Sequence, residues 1–207
     1  MIKLLSPLAY RVLPWKNGGG STTEIAVEPE GATWEAFDWR VAIADIRESG
    51  PFSSFPGIDR SIMLLDAPRG TQMELRIDGR RVRMLPREFV DFAGEATTEG
   101  ILYTDPAGHG AGADNAVRDF NVMSRRGFIR HRRGYQSLSP NEVHRMGGVD
   151  TRIAYVASGT AELIHAQNSR TLNAGESVIA SGDDALELKG GLDGAQFVWV
   201  VFSKTSD

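Results

Sequence analysis

The strongest constraint on this 207-residue chain is a weakly repeated pattern of short apolar runs separated by glycine-centred breaks. In the first copy, Ile62-Met63-Leu64-Leu65 precedes Gly70, Met73-Glu74-Leu75-Arg76-Ile77, Val82-Arg83-Met84-Leu85-Pro86 and Phe89-Val90-Asp91-Phe92. In the second, Ile153-Ala154-Tyr155-Val156 precedes Gly159, Ala161-Glu162-Leu163-Ile164, Thr171-Leu172-Asn173-Ala174-Gly175-Glu176 and Val178-Ile179. Each copy reads as strand, glycine turn, strand, short turn, strand, strand. Short strands at even spacing close into a sandwich or barrel, and two copies predict two of them. The expectation is an all-β chain with an N-terminal half over 1–126 and a C-terminal half over 127–207, contiguous as one structural unit.

Local signals agree. Trp39-Arg40-Val41-Ala42-Ile43-Ala44 reads as a strand with Arg40, Ala42 and Ala44 on one face and Trp39, Val41 and Ile43 on the other. Pro56-Gly57, Asp78-Gly79 and Asn173-Ala174-Gly175 are turn signals. Ser21-Thr22-Thr23-Glu24 has the spacing of a capping box, but Ile25-Ala26-Val27-Glu28 alternates and meets Pro29, which favours a strand. Ser139-Pro140-Asn141-Glu142 is the better helix start, predicting one short helix or 3₁₀ turn with Gly147 as its stop. The stretch from Asp105 to Asp114, rich in Gly and Ala, reads as a mobile loop.

Composition excludes several classes of function. A net charge of −4 argues against a general phosphate-backbone binder, so no nucleic-acid partner is expected. With no cysteine there are no disulfides, thiolate nucleophiles or cysteine-ligated metal sites. The start, Met1 to Pro7, lacks the apolar core of a secretory signal. The longest apolar run, Phe197 to Phe202, is far shorter than the ~20 residues that span a bilayer. A cytoplasmic protein with no membrane partner is the expectation.

Four motifs stand in order: Trp15-Lys16-Asn17-Gly18-Gly19-Gly20 with Thr23-Glu24-Ile25; Trp39-Arg40 leading into Ala42-Ile43-Ala44; Gly50-Pro51-Phe52-Ser53 with Phe55-Pro56-Gly57-Ile58-Asp59-Arg60; and Asp119-Phe120-Asn121-Val122-Met123-Ser124-Arg125. Together they resemble the HutD/Ves family. The resemblance implies a bicupin, two stacked cupin-like β-sandwich or jelly-roll halves, paired as a homodimer and associated with histidine utilisation. It further implies a ligand-binding regulator sensing a formylated or formiminated glutamate intermediate. Ala42 departs from the family's common serine, Asp66-Ala67-Pro68 from its glycine, and Arg87-Glu88-Phe89 from a proline before the Phe.

The metal question comes first, because active cupins combine closely spaced histidines with a carboxylate. Here His109, His131, His144 and His165 form no H-x-H or H-x-x-x-H pair, so no metal and no other cofactor is expected. The glycine run after Lys16 and Asn17 suits a backbone anion nest formed by Gly18 and Gly19; the alternative is a hairpin whose Trp15 plugs the core. Arg40 beside two alanines suits a planar fork with space for a carboxylate, or else an internal ion pair. Alternation places Phe120 and Val122 in a core and turns Asp119, Asn121 and Met123 the other way. That second face either meets a ligand, with Asn121 reading a polar end and Asp119 orienting Arg40, or meets water. Glu24 is a candidate base beside Lys16. Asp59 and Arg60 read as turn or ion-pair residues, and the basic run from Arg125 to Arg133 as a solvated face. No G-x-S-x-G or other nucleophile frame appears.

The candidate ligand site is therefore Lys16, Asn17, Gly18, Gly19, Glu24, Arg40, Asp119 and Asn121. It points to a non-enzymatic binder of a small carboxylate such as formylglutamate, formiminoglutamate or urocanate. The competing reading is a metal-independent hydrolase or isomerase acting on the same acids, with Glu24 or Asp119 as base.

Overall fold

A computed structural model describes residues 1–15, 17–104, 116–165 and 168–205. These form two compact units, one made of residues 11–128 and the other of residues 1–10 together with 129–207. The chain opens with β1 (Ile2–Leu5) and a 3₁₀ turn at Pro7–Ala9. β1 pairs antiparallel with a strand near the C-terminus, Leu4 opposite Val178. The first ten residues thus group with residues 129–207, whereas the sequence reading places them in the N-terminal half over 1–126. Four residues of apolar-polar alternation carry no signal of which sheet they join, because that is decided by long-range pairing.

The 11–128 unit contains β2 (Arg11–Pro14), β3 (Gly20–Glu28), β4 (Trp39–Ile46), β5 (Gly50–Pro51), β6 (Ile58–Asp66), β7 (Thr71–Ile77), β8 (Arg80–Arg83), β9 (Phe89–Ala93), β10 (Thr98–Thr104) and β11 (Val117–Arg125). One six-stranded sheet runs β2-β3-β4-β11-β6-β9 and a four-stranded sheet runs β5-β10-β7-β8. Ala44, Ile46, Ile62 and Leu64 of the first sheet pack against Met73 and Leu75 of the second, all buried. At the β7–β8 hairpin, Asp78 and Gly79 both adopt positive φ, 48° and 81°. This is the backbone that a two-residue hairpin requires and that Asp-Gly tolerates.

The other unit holds β12 (Ile129–Leu138), β13 (Val143–Met146), β14 (Thr151–His165), β15 (Asn168–Asn173), β16 (Ser177–Ala180) and β17 (Leu186–Lys204). With β1 these form a seven-stranded sheet. The pattern around Gly159 predicts two strands joined by a turn; the chain instead runs on as the single strand β14. Its ladder with β17 shifts register between Val156 and Ser158 and between Gly159 and Ala161. Bulges bend a strand without ending it. Gly159 sits at φ 71°, and a Cβ there would lie 2.3 Å from the Gly194 carbonyl oxygen. The bent strands wrap one apolar core in which Ala154, Val156, Leu163, Leu172, Leu188 and Phe197 are buried.

The expected helix at Ser139 is absent. Residues 139–142 make a turn in which the Glu142 N–H donates to the Ser139 carbonyl and Glu142 Oε2 accepts from the Ser139 N–H at 2.8 Å. Asn141 stands at φ 65°, a left-handed backbone that a helix cannot contain. The reciprocal Ser-x-x-Glu contact is thus satisfied without any helix behind it. The all-β class holds, and among the described residues no helix is long and apolar enough to cross a membrane. The segment expected as a mobile loop, Asp105 to Asp114, lies outside the described residues.

Candidate functional site

Three adjacent strands of the 11–128 unit build the floor of a cavity of about 610 Å³. On the central strand β11, Met123 stands opposite Arg40 of β4 on one side and Arg60 of β6 on the other. Asn121 follows, opposite Ala42 and Ile62, and then Asp119, opposite Ala44 and Leu64. Directly paired residues share a face of the sheet, so the period of two aims these side chains together. The middle column is polar after Met123, the β4 column becomes small after Arg40, and the β6 column is apolar after Arg60. Ala42 and Ala44 leave the space that the cavity occupies. Its wall is completed by Leu13, Pro14, Trp15 and Thr22 from the first hairpin and by Trp34, Phe52 and Phe55.

The polar residues are buried almost completely, with Arg40 and Arg60 at 4% exposure, Asn121 at 9% and Asp119 at 0%. Arg40 Nε donates to Glu24 Oε2 at 2.7 Å, and its guanidinium carbon lies 4.1 Å from the centre of the Trp34 ring. Arg60 is enclosed by Phe52, Phe55 and Phe92, with ring centres 5.0 to 5.4 Å away, and donates through Nη1 to the Ser53 carbonyl. Aromatic faces stabilise a cation without supplying hydrogen-bond acceptors. Among the described residues, Arg40 Nη2, Arg60 Nε, both carboxylate oxygens of Asp119 and Asn121 Oδ1 have no hydrogen-bond partner. Most buried polar groups are satisfied, and leaving one unsatisfied costs about 1–3 kcal/mol. Five such atoms lie on residues that line one cavity.

Burial also dominates the electrostatics. Loss of water pushes the Asp119 carboxyl up to about 7, against the opposing attraction of Arg60. The Ala44 N–H favours the charged form from nearby without reaching hydrogen-bonding geometry. The same desolvation pulls Arg60 down to about 10, with Asp119 restoring part of it, and lowers Arg40 against the support of Glu24. Burial thus makes both guanidinium groups less basic than free arginine and makes the Asp119 carboxyl harder to ionise.

The HutD family profile matches residues 8–199. The chain belongs to the HutD family. A relative from Pseudomonas putida, an uncharacterized 21.2 kDa protein in the hutC 3′ region, is 39% identical over 123 residues, which are 59% of this chain and 57% of that protein. The match to this relative therefore spans little more than half its length. Protein Ves of Cronobacter sakazakii is 32% identical over 150 residues, 72% of each chain. The structure of HutD from Pseudomonas fluorescens SBW25, in a formate condition, superposes over the whole of both chains with a TM-score of 0.78 and 25% identity. At the level of fold alone, a cupin 2 conserved barrel domain protein from Leptotrichia buccalis covers 88% of each chain with a TM-score of 0.55 and 8% identity. The all-β architecture of this HutD-family chain is thus cupin-like.

The residues singled out from the sequence fare unequally. Arg40, Asp119, Asn121 and Asn17 line the cavity. Glu24 does not line it but holds Arg40 from the neighbouring strand, so the internal ion pair and the pocket-facing fork are both present in one side chain. Asp119 does not orient Arg40; Glu24 has that place. The glycine run forms a hairpin rather than an anion nest. The Gly18 N–H donates to the Trp15 carbonyl and the Gly19 N–H to Asn17 Oδ1, so neither amide is available to a ligand. Gly20 is required by close approach, since a Cβ there would meet the Asp45 carbonyl oxygen at 2.3 Å and the Trp15 ring at 3.0 Å. Trp15 in turn donates through Nε1 to Thr22 Oγ1 at 2.8 Å. Lys16 lies outside the described residues.

Arg60 is the residue that sequence reasoning misplaced. Beside Pro56-Gly57 it reads as a turn residue, yet it lies inside β6 at the cavity wall. The alternation Ile58, Arg60, Ile62 was the available signal, because it places an arginine in an otherwise apolar row. His131 packs on Phe202, His144 on Phe197 and Trp199, and His165 approaches Asp184 at 3.3 Å; His109 lies outside the described residues. Among the described residues no group of three His, Asp or Glu side chains is placed to hold a metal ion. From the basic run, Arg125 pairs with Asp38, and Arg126 with Asp59 and Glu95.

Proposed function

We propose that this chain is a non-enzymatic binding protein for a small carboxylate and acts as a regulator in histidine utilisation. The observation that carries the reading is the convergence of two buried arginines, Arg40 and Arg60, with unpartnered Asp119 and Asn121 on one enclosed wall. Two guanidinium groups with unused donors suit a carboxylate, and charge-assisted hydrogen bonds of this kind are the strong ones. Asn121 Oδ1 is an acceptor awaiting an N–H, which an N-formyl or N-formimino group supplies. A cavity of about 610 Å³ falls within the ordinary range for metabolite sites. Formylglutamate and formiminoglutamate combine carboxylates with such a nitrogen; urocanate offers a planar carboxylate that suits the Trp34 and Phe52 walls. The position of a relative beside hutC supports the pathway. A bicupin arrangement, a homodimer and a cytoplasmic location complete the proposal.

The test is a thermal-shift and calorimetry panel of formylglutamate, formiminoglutamate, urocanate and formate. A ligand that binds only the native state raises the melting temperature, by roughly 2.7 kcal/mol of added stability at one hundred times its dissociation constant. Arg40→Ala would strand Glu24, so Arg40→Gln is the cleaner variant; it should abolish the shift. No response to any of the four at 5 mM contradicts the reading.

A second reading, metal-independent catalysis on the same acids, rests on Asp119. A buried carboxyl whose pKa lies near neutrality can donate or accept a proton at the working pH. Glu24 is held by Arg40 and is the weaker candidate. Product formation by chelator-treated protein, lost in Asp119→Asn, would favour catalysis over binding.

A further inference from the structure

Asp119 makes the cavity's charge conditional. The charged side chains that line it with Asp119 are Arg40 from β4 and Arg60 from β6, with Glu24 of β3 acting through its bond to Arg40 and Asp45 of β4 acting on Asp119 at a distance. Asp45 is engaged outside the wall by Arg118 at 3.4 Å. From the opposite side come Pro51, Phe52 and Ser53, and from the four-stranded sheet Met73 and Leu75, none of which titrates. With Asp119 ionised, two guanidinium groups face two carboxylates and the enclosed charge cancels. With Asp119 protonated, one positive charge remains for an anion.

The geometry sharpens the competition. Arg60 is the cation that supports the ionised Asp119, and its Nε is also one of the donors a ligand carboxylate would take. A carboxylate seated there brings a like charge close to a carboxyl whose oxygens have no hydrogen-bond partner among the described residues. Like charges sharing a dry site cannot both ionise cheaply, and the less supported one takes up a proton. Once neutral, Asp119 becomes an O–H donor facing the ligand.

Resting on the carboxylate reading of this cavity, we infer that Asp119 couples ligand binding to protonation, so that each small carboxylate enters the pocket together with one proton. The coupling selects for ligands whose buried end can accept a hydrogen bond from the carboxylic acid, such as a formyl or carboxamide oxygen. It also makes the occupied state a function of pH.

The experiment is isothermal calorimetry with N-formylglutamate and, as minimal probe, formate, in Tris and in HEPES between pH 5.5 and 8.5. Buffers of different ionisation enthalpy report protons directly. The expected result is uptake of about one proton per ligand near pH 8 and a dissociation constant rising about tenfold from pH 7.5 to 8.5. Asp119→Asn should bind with under a twofold change over the same range, whereas Glu24→Gln should keep the wild-type slope. Binding without proton uptake by the wild type overturns the inference and leaves the carboxylate site standing. A slope lost in Glu24→Gln but kept in Asp119→Asn overturns it in favour of Glu24. Absence of binding by both probes at every pH overturns the inference and the site reading together.

Discussion

The two units treat buried polarity differently. In the 11–128 unit, eight polar or charged residues are buried among those described, including Arg40, Arg60, Asp119 and Asn121, and the unsatisfied atoms of these four face one cavity. In the other unit, among the described residues, only the polar side chains of Arg152 and Ser177 are comparably buried. Arg152 donates to the Gly148 and Gly182 carbonyls, and Ser177 accepts from the Tyr10 hydroxyl. Its interior is closed by Leu163, Leu172, Leu188 and Phe197, and Trp199 lies where a Cβ on Gly134 would meet its ring at 2.6 Å. The second unit is not fully satisfied either, since Arg152 Nε lacks a hydrogen-bond partner among the described residues, but the 11–128 unit gathers five such atoms on one wall. An unsatisfied buried group lowers stability, and on the proposed reading a bound carboxylate offsets that cost on this wall.

Several measurements would break or sharpen this contrast. Phe197→Ala, in the packed unit, should lower unfolding free energy by about 3–5 kcal/mol in a urea titration while leaving the ligand response intact. A loss below about 1 kcal/mol would show that the core there is looser than its burial implies. Asp119→Asn should act through pH. The wild-type carboxyl is raised on folding, so its contribution is fully present below the unfolded pKa and is lost as pH rises toward about 7. The variant should therefore gain stability relative to wild type between pH 5 and pH 8, read from paired urea midpoints. An unchanged difference would mean that Asp119 titrates alike in both states.

Arg60→Met suits the Phe52, Phe55 and Phe92 cage but removes the cation beside Asp119, so the melting temperature should fall more at pH 8 than at pH 5.5, where the Asp119 carboxyl is protonated. Carboxylate affinity should fall about tenfold to one hundredfold, in line with roughly 1.5–3 kcal/mol for a charged hydrogen bond. Retained affinity would remove Arg60 from the site. Gly134→Ala should destabilise by about 1–2 kcal/mol through overpacking against Trp199, with no effect on ligand affinity.

Much of the site was legible because it follows a period of two along single strands. The rows Arg40-Ala42-Ala44 and Asp119-Asn121-Met123 needed only alternation and one choice of face. What escaped depends on pairing between distant segments. Arg60 joins the site because β6 lies beside β11, and β1 joins the 129–207 segment because Leu4 meets Val178. Trp34 comes from an irregular segment with no period to place it. Gly70 and Gly159 carry the same local signal, yet one ends a strand and the other bends it. The glycine run was misread for a similar reason: its amides bond within the hairpin, which no composition rule reveals.

The central claim is that Arg40, Arg60, Asn121 and Asp119 enclose the ligand. A crystal structure grown with N-formylglutamate tests it most directly. The account predicts a carboxylate within hydrogen-bonding distance of Arg40 Nη2 and Arg60 Nε, with the formamide directed at Asn121. Ligand density on the 129–207 segment or at the surface, with ordered water alone between the two arginines, would contradict it.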